Sequence, residues 1–224
     1  MQSAWHSGVM STSVWPLFGL RVITPRLELR YVDDHLGAQL ADLAAQGIHD
    51  PAFMPFAFEW TDAPADRLRP NTMQHYWRCR AETTPTHWHL PFATIVDGEV
   101  VGTTSLGADH FPTLRTFESG SWLGRAHQGR GIGREMREAT LHLGFAGFAA
   151  ACATTSAFDD NGPSLGVTRS LGYEPNGTEP KVRRGQVATS LQFRMPADDW
   201  QARVRRDDIS IDGLEPVLGF LALV

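Results

Sequence analysis

The chain has 224 residues, 42% of them hydrophobic and 20% charged, enough to bury one sizeable core in a single α/β domain with ragged ends. Its 20 Lys and Arg against 25 Asp and Glu give a net charge of −5, which repels a phosphate backbone and argues against a nucleic-acid partner. Cys79 and Cys152 lie far apart, exclude a disulfide framework and suit a reducing, cytoplasmic setting.

Residues 1–19 read as an N-terminal extension. Val9, Val14, Trp15 and Leu17 are hydrophobic, but no Lys or Arg precedes them as a signal peptide requires, and Met10 is an alternative start. Residues 26–32 (RLELRYV) alternate in period two behind Thr24-Pro25, which predicts a half-buried strand. Asp33 and Asp34 then precede Leu36, Leu40 and Leu43 at helical spacing, a helix ending near Gly47. Residues 50–70 are rich in Pro and aromatics and fit no period, so a long loop of functional character is expected there.

A helix is predicted over 71–81, followed by strands over 90–96 and 99–106 joined by Asp97-Gly98, a strong hairpin signal. A strand over 117–123 runs into a glycine-rich turn and a helix over 133–146. The most apolar stretch, residues 141–153, is too short to cross a bilayer, so no membrane partner is expected. A buried strand over 149–157, a short helix over 161–171 closed by Gly172, an extended path from Tyr173 and an alternating strand over 187–195 follow. The expectation is a mixed central sheet of about seven strands flanked by helices over residues 20–200. Residues 201–224 read as a C-terminal extension, with 209–212 and 214–224 as an edge strand or a dimer contact that would make a homo-oligomer.

The turn carries the main chemistry. Gly129, Gly131 and Gly133 stand at alternate positions directly before a helix, so backbone N–H groups can converge on one anion without side-chain obstruction. A P-loop needs GxxxxGK[ST] and a dinucleotide fold GxGxxG; here the third glycine would have to fall at Arg134 or Met136. What fits is Q-x-x-G-x-G, made by Gln128, Gly131 and Gly133 and flanked by Arg125, Arg130 and Arg134. The bland alternative is a helix entry that happens to be rich in glycine.

With this turn in place after SGSWLG, and NGPS and SLGYEPNG downstream, the chain resembles the GNAT superfamily of N-acyltransferases. The stretches ITPRLELR, FESGSWLG, QGRGIG, NGPS and SLGYEPNG resemble the branch of ribosomal-protein-alanine N-acetyltransferases, and HDPAFMPFAFEW with SGSWLG is similar to an actinobacterial succinyltransferase. The resemblance implies acyl-CoA, acetyl-CoA or succinyl-CoA, as co-substrate. The strand backbone of Ser121, Trp122 and Leu123 would pair with the pantetheine amides, and Gln128, Gly129, Arg130, Gly131, Ile132, Gly133 and Arg134 would hold the diphosphate. Asn161 would contact the pantetheine arm, and a backbone N–H near Trp122 or Leu123 would polarise the thioester carbonyl.

Many members carry a Tyr seven residues after this Asn as general acid; Thr168 stands at that position here. The departure leaves open a non-catalytic acyl-CoA-binding or sensing module. Ser164 matches a Ser near the CoA sulfur, where its hydroxyl would stabilise the thiolate, or else it is an ordinary first-turn helix residue. Glu118 matches the acidic residue of the branch's strand and is the candidate base, or else a structural carboxylate. His127 reads as a surface residue near phosphate. His49, Asp50 and Glu59 are available to meet a cationic amine, whether protein N-terminus, lysine or small amine. His87 and His89 look like a metal pair until a third ligand is sought, and the sequence shows none, so no metal is expected.

Overall fold

The computed structural model describes residues 12–223; Val9 and the alternative start Met10 lie outside the described residues. The chain runs through β1 (Arg21–Ile23), β2 (Glu28–Tyr31), α1 (Asp34–Ala45), α2 (Ala65–Ala81), β3 (His87–Val96), β4 (Glu99–Asp109), the one-turn α3 (Phe111–Leu114) and β5 (Thr116–Leu123). It continues through α4 (Ile132–His142), β6 (Cys152–Phe158), α5 (Gly162–Ser170), β7 (Glu174–Arg183), β8 (Gln186–Pro196), α6 (Ala197–Arg203), β9 (Ser210–Asp212) and α7 (Leu214–Phe220). No described helix is long and apolar enough to cross a membrane.

Among the described residues nine strands form one mixed sheet in the order β7-β8-β6-β5-β4-β3-β2-β1-β9. All pairings are antiparallel except β5 with β6. The architecture is the expected α/β domain, and the sheet exceeds the expected seven strands by β1 and β9. β1 has three residues, too few to carry a period-two signal, whereas β9 falls in the segment 209–212 read as an edge strand or a dimer contact; the two pair with Val22 opposite Ile211.

Alternation along the strands gives the sheet two apolar faces. In β5, Phe117 and Leu123 join the larger core with Met136 and Ala139 of α4, whereas Trp122 packs against Val32, Leu36, Leu40, Tyr76, Ala93 and Val100 beneath α1 and α2. Phe117 is 1% exposed, and truncating it to Ala would cost about 3–5 kcal/mol. Leu17 and Leu20 before the sheet and Val217 and Leu221 in and after α7 bury against the same larger core.

Three segments differ from the sequence reading for identifiable reasons. α2 starts at Ala65, because Pro70 falls in its second turn, where it forfeits a single backbone bond while Leu68, Thr72, Tyr76 and Cys79 bury one face. β6 starts at Cys152, because the chain beyond α4 winds through a π-helical turn at Leu143–Gly147 and reverses at Ala149, whose φ is 54°. The segment read as extended from residue 214 is helical as α7, with Val217 fully buried.

Candidate functional site

The one parallel pairing is also the shortest among the long strands. β5 and β6 pair only through Thr116, Phe117 and Glu118 opposite Cys152, Ala153 and Thr154. Beyond that point β6 continues against β8 and β5 continues against β4, so a wedge opens between them. Gly124 N–H donates to the Val101 carbonyl at 2.9 Å, which fixes the alternation of the β4–β5 ladder. The peptides of Gly120 and Trp122 therefore face β4, and those of Ser119, Ser121 and Leu123 face the wedge. Two side-chain bonds agree with this phase: Thr155 Oγ1 donates to the Ser119 carbonyl at 2.9 Å, and Gln128 Nε2 donates to the Leu123 carbonyl at 2.9 Å. The free main-chain edge thus belongs to Ser121 and Leu123, and Trp122 contributes its indole.

At the mouth of the wedge the glycine turn enters α4. Gly129 and Gly131 have φ of 74° and 77°, a region that L side chains rarely adopt, and this lets the chain curl into the helix. Gly131 is the N-cap and makes no side-chain cap, so the first N–H groups of α4, at Ile132, Gly133 and Arg134, point outward without partners inside the helix. Gln128 serves the turn differently from a ligand: its amide also donates to the Ile48 carbonyl at 2.7 Å, stapling the turn to the end of the α1 segment. Arg26 leans on the same turn, donating to the Arg130 carbonyl at 3.4 Å and to the buried Glu135. Burial opposes ionisation of Glu135, but hydrogen bonds from Thr24 and Arg26 outweigh it and hold the carboxyl below its ordinary range. His127 turns to Glu99, 3.7 Å away.

Beside the turn a depression of about 390 Å³ lies between α4, α5 and the segment after α6. It is lined by Arg134, Arg169, Arg203, Arg205 and Arg206 against the single acid Glu138. Arg206 is committed to Glu138 and Asp208, both pairs within 2.8 Å, whereas Arg169 has no ion pair among the described residues. Four of these arginines come from the end of α5 or the chain beyond residue 200, and the sequence reading named none of the four.

On the α5 side of the wedge, Asn161 caps the helix by accepting from Ser164 N–H at 3.3 Å. That bond places Ser164 on the first turn, and its hydroxyl makes no hydrogen bond among the described residues. One turn further lies Thr168, only 1% exposed. Arg137 of α4 reaches it: the residue is 5% exposed, and its guanidinium donates from Nη2 to Thr155 Oγ1 at 3.0 Å and to Thr168 Oγ1 at 3.4 Å. Its Nε has no partner and no carboxylate pairs with it among the described residues. The Tyr173 ring lies 5.8 Å from the guanidinium carbon, but a buried cation without a carboxylate partner is costly, so its retention points to a role beyond packing. Sequence reasoning passed over Arg137, although Gly133, Thr140, Leu141 and Gly144, which share its helix face, are all small or apolar.

The aromatic segment before α2 roofs the wedge from β5 to the β7–β8 hairpin. Phe56 packs on Trp60 and Trp60 on Trp122, with ring centroids 5.4 and 5.9 Å apart. On the other side Arg183 binds Asp160 with two bonds of 2.8 and 2.7 Å and lies 4.4 Å over Phe158. Arg184 binds Asp62 at 2.8 and 2.7 Å and the Pro51 carbonyl at 2.9 Å, while its N–H donates to Glu59. These contacts hold the carboxyls of Asp62 and Asp160 below their ordinary range. Glu59 is thus occupied within the strap, Asp50 caps Ala52 N–H at 2.9 Å, and His49 bonds Thr61 at 2.8 Å. Glu118, by contrast, is exposed at the base of the wedge on the Trp122 face and has no hydrogen-bond or ion-pair partner among the described residues.

A family model described as an acetyltransferase (GNAT) domain matches residues 26–174. RimJ of Mycobacterium smegmatis, solved with a CoA disulfide, is similar at 22% identity and a TM-score of 0.66, over 82% of this chain and 92% of that one. RimL, a ribosomal L7/L12 alpha-N-protein acetyltransferase solved with coenzyme A, is similar at 16% identity and a TM-score of 0.64, over 79% of this chain and 97% of that one. A GCN5-related N-acetyltransferase from Brucella melitensis is similar at 19% identity and a TM-score of 0.65, over 81% and 80%. These likenesses are ones of fold.

Proposed function

We propose that this chain, which belongs to the acetyltransferase (GNAT) family, transfers an acetyl or succinyl group from acyl-CoA to a primary amine by direct attack within a ternary complex. The observation that carries this reading is the wedge, whose free peptide edge at Ser121 and Leu123 leads straight to the N-terminus of α4. A pantetheine arm is a chain of amides, and it would pair with that edge as an added strand does. Its diphosphate would then meet the N–H groups of residues 132–134 with Arg134, and the 3′-phosphate would meet Arg169 and its neighbours in the basic depression.

In this pose the amine nitrogen attacks the thioester carbon and the carbonyl oxygen takes up negative charge, to which the outward N–H of Leu123 donates a hydrogen bond. The C–S bond then breaks and the electron pair leaves on sulfur. The Ser164 hydroxyl and the buried Arg137 guanidinium stabilise that thiolate, so a charge stands in for the proton that a Tyr would give at position 168. The ammonium proton passes to Glu118 or to water. The acceptor that suits this machinery is a protein N-terminus: an α-amine of pKa near 8 is roughly one-tenth neutral at pH 7 and needs little help. RimL, one of the fold's neighbours, acts on such a terminus by its name.

The test is free-thiol release by purified full-length protein given acetyl-CoA or succinyl-CoA and a panel of N-terminal peptides, lysine peptides and small amines. Turnover on peptides bearing a free N-terminus supports the proposal. Tight CoA binding without turnover on any amine replaces it with a binding module, and absence of CoA binding overturns it altogether. The ratio of succinyl-CoA to acetyl-CoA affinity identifies the acyl group.

A further inference from the structure

His87 and His89 part company in the fold. His87 Nδ1 lies 2.6 Å from Asp109, opposite it on β4, and is thereby engaged. His89 turns to α2, where His75 and Cys79 stand four residues apart on one helix face. One ligand atom from each of His75, Cys79 and His89 lies within 4.8 Å of the other two. Cys79 Sγ and His75 Nε2 are 3.7 Å apart. Zinc bonds of about 2.3 Å to sulfur and about 2.05 Å to nitrogen at a tetrahedral angle require a separation of about 3.6 Å.

The surroundings favour ligation. The His75 and His89 rings meet edge to face with centroids 5.9 Å apart, and each brings a ring nitrogen within 4.8 Å of the Cys79 sulfur. Cys79 is buried, 6% exposed. Space has been left for His89 as well: a Cβ on Gly107, its cross-strand neighbour, would come 3.1 Å from its Nδ1.

We propose that His75, Cys79 and His89 bind one zinc ion, with water as the fourth ligand, and that the ion ties α2 to β3. One thiolate and two imidazoles are the donor set of a borderline-soft divalent cation and disfavour calcium or magnesium. The sequence hides the site because its ligands pair a helix repeat at 75 and 79 with a strand residue, and the conspicuous His87 is not among them. The site is independent of the acyl-transfer reading.

The test uses untagged, full-length protein stripped with chelator. Zinc titrated against a chromophoric chelator should bind at 1:1 with a Kd below about 1 μM. Cobalt in its place should give a near-ultraviolet thiolate charge-transfer band. Cys79→Ser should abolish that band and weaken zinc binding about 100-fold, and His89→Gln should weaken it at least tenfold, with near-ultraviolet circular dichroism checking the fold of each. A second measurement needs no variant: zinc should slow alkylation of Cys79 more than tenfold while leaving Cys152 unchanged as the internal control. Failure of 1:1 binding, equal binding by the variants, or no protection of Cys79 would overturn the proposal.

Discussion

The donor half of the site and its acceptor half are built from different bonds. From β5 through the glycine turn to α4, the groups that would meet acyl-CoA are main-chain N–H and C=O within about 15 residues of one another. The roof over the wedge is held by side chains remote in sequence: Arg184 and Asp62 are 122 residues apart, and Arg183 and Met54 are 129 apart. Main-chain recognition tolerates change of side chain and suits a handle common to all CoA donors. Side-chain recognition is open to substitution and suits an acceptor that varies between relatives. The two halves should therefore fail separately when mutated.

The largest effect is expected at Arg137, which touches the donor half from beneath. Arg137→Met should lower kcat by about 10²–10³-fold, the loss typical of one preorganised charge-stabilising group, with the KM for acyl-CoA changed only a few-fold. Because the substitution removes a buried unpaired charge, the melting temperature should hold or rise. Arg137→Lys should restore part of kcat. A parallel fall of kcat and melting temperature in Arg137→Met would reduce the residue to a packing role. Next is Gly131→Val, which forces a β-branched residue to a φ of 77° at the entry to α4. It should weaken CoA binding about 100-fold by calorimetry while leaving the roof and its aromatic contacts intact.

The same division explains what could be read before the structure. The α/β class, the β3–β4 hairpin and the β5–turn–α4 unit were legible because their signals are local: Asp97-Gly98 for the hairpin, and Gly129 and Gly131 before an amphipathic helix. The identity of the free edge was not. Naming Leu123 rather than Trp122 as the outward N–H depends on the phase of the ladder with β4, which Gly124 and Val101 set. Arg137 was hidden because an arginine on an amphipathic helix reads as solvent-facing until α5 and β6 are seen to close over it. His49, Asp50 and Glu59 were read as free for an amine because nothing in the sequence pairs them with Thr61, Ala52 and Arg184.

For the acceptor half the expected effect is smaller, since exposed ion pairs are screened by water and salt. Arg183→Ala combined with Arg184→Ala should raise the KM for the amine about tenfold by loosening the strap over Phe53 and Trp60. CoA affinity should stay within about twofold. Equal weakening of both substrates would show that the halves are one mechanical unit and break the comparison.

The smallest effect, and the most informative about the acceptor, is expected for Glu118→Gln. If the acceptor is an α-amine, roughly one-tenth of it is already neutral at pH 7, so a base can gain no more than about tenfold there by deprotonating it. The loss in kcat/KM should therefore stay below about tenfold at pH 7 and vanish by pH 9, where the amine is largely neutral without help. A lysine, of pKa near 10.4, is neutral in only about one molecule in 2500 at pH 7 and about one in 25 at pH 9, so a loss near 10³-fold at pH 7 that shrinks to about 25-fold or less at pH 9 without vanishing would mark lysine as the acceptor. A loss that does not vary with pH would assign Glu118 to binding the ammonium of the acceptor, and no loss at any pH would pass the proton to water. In each case the exposed, unpartnered carboxylate at the base of the wedge reports on the acceptor, about which the main-chain donor half carries no information.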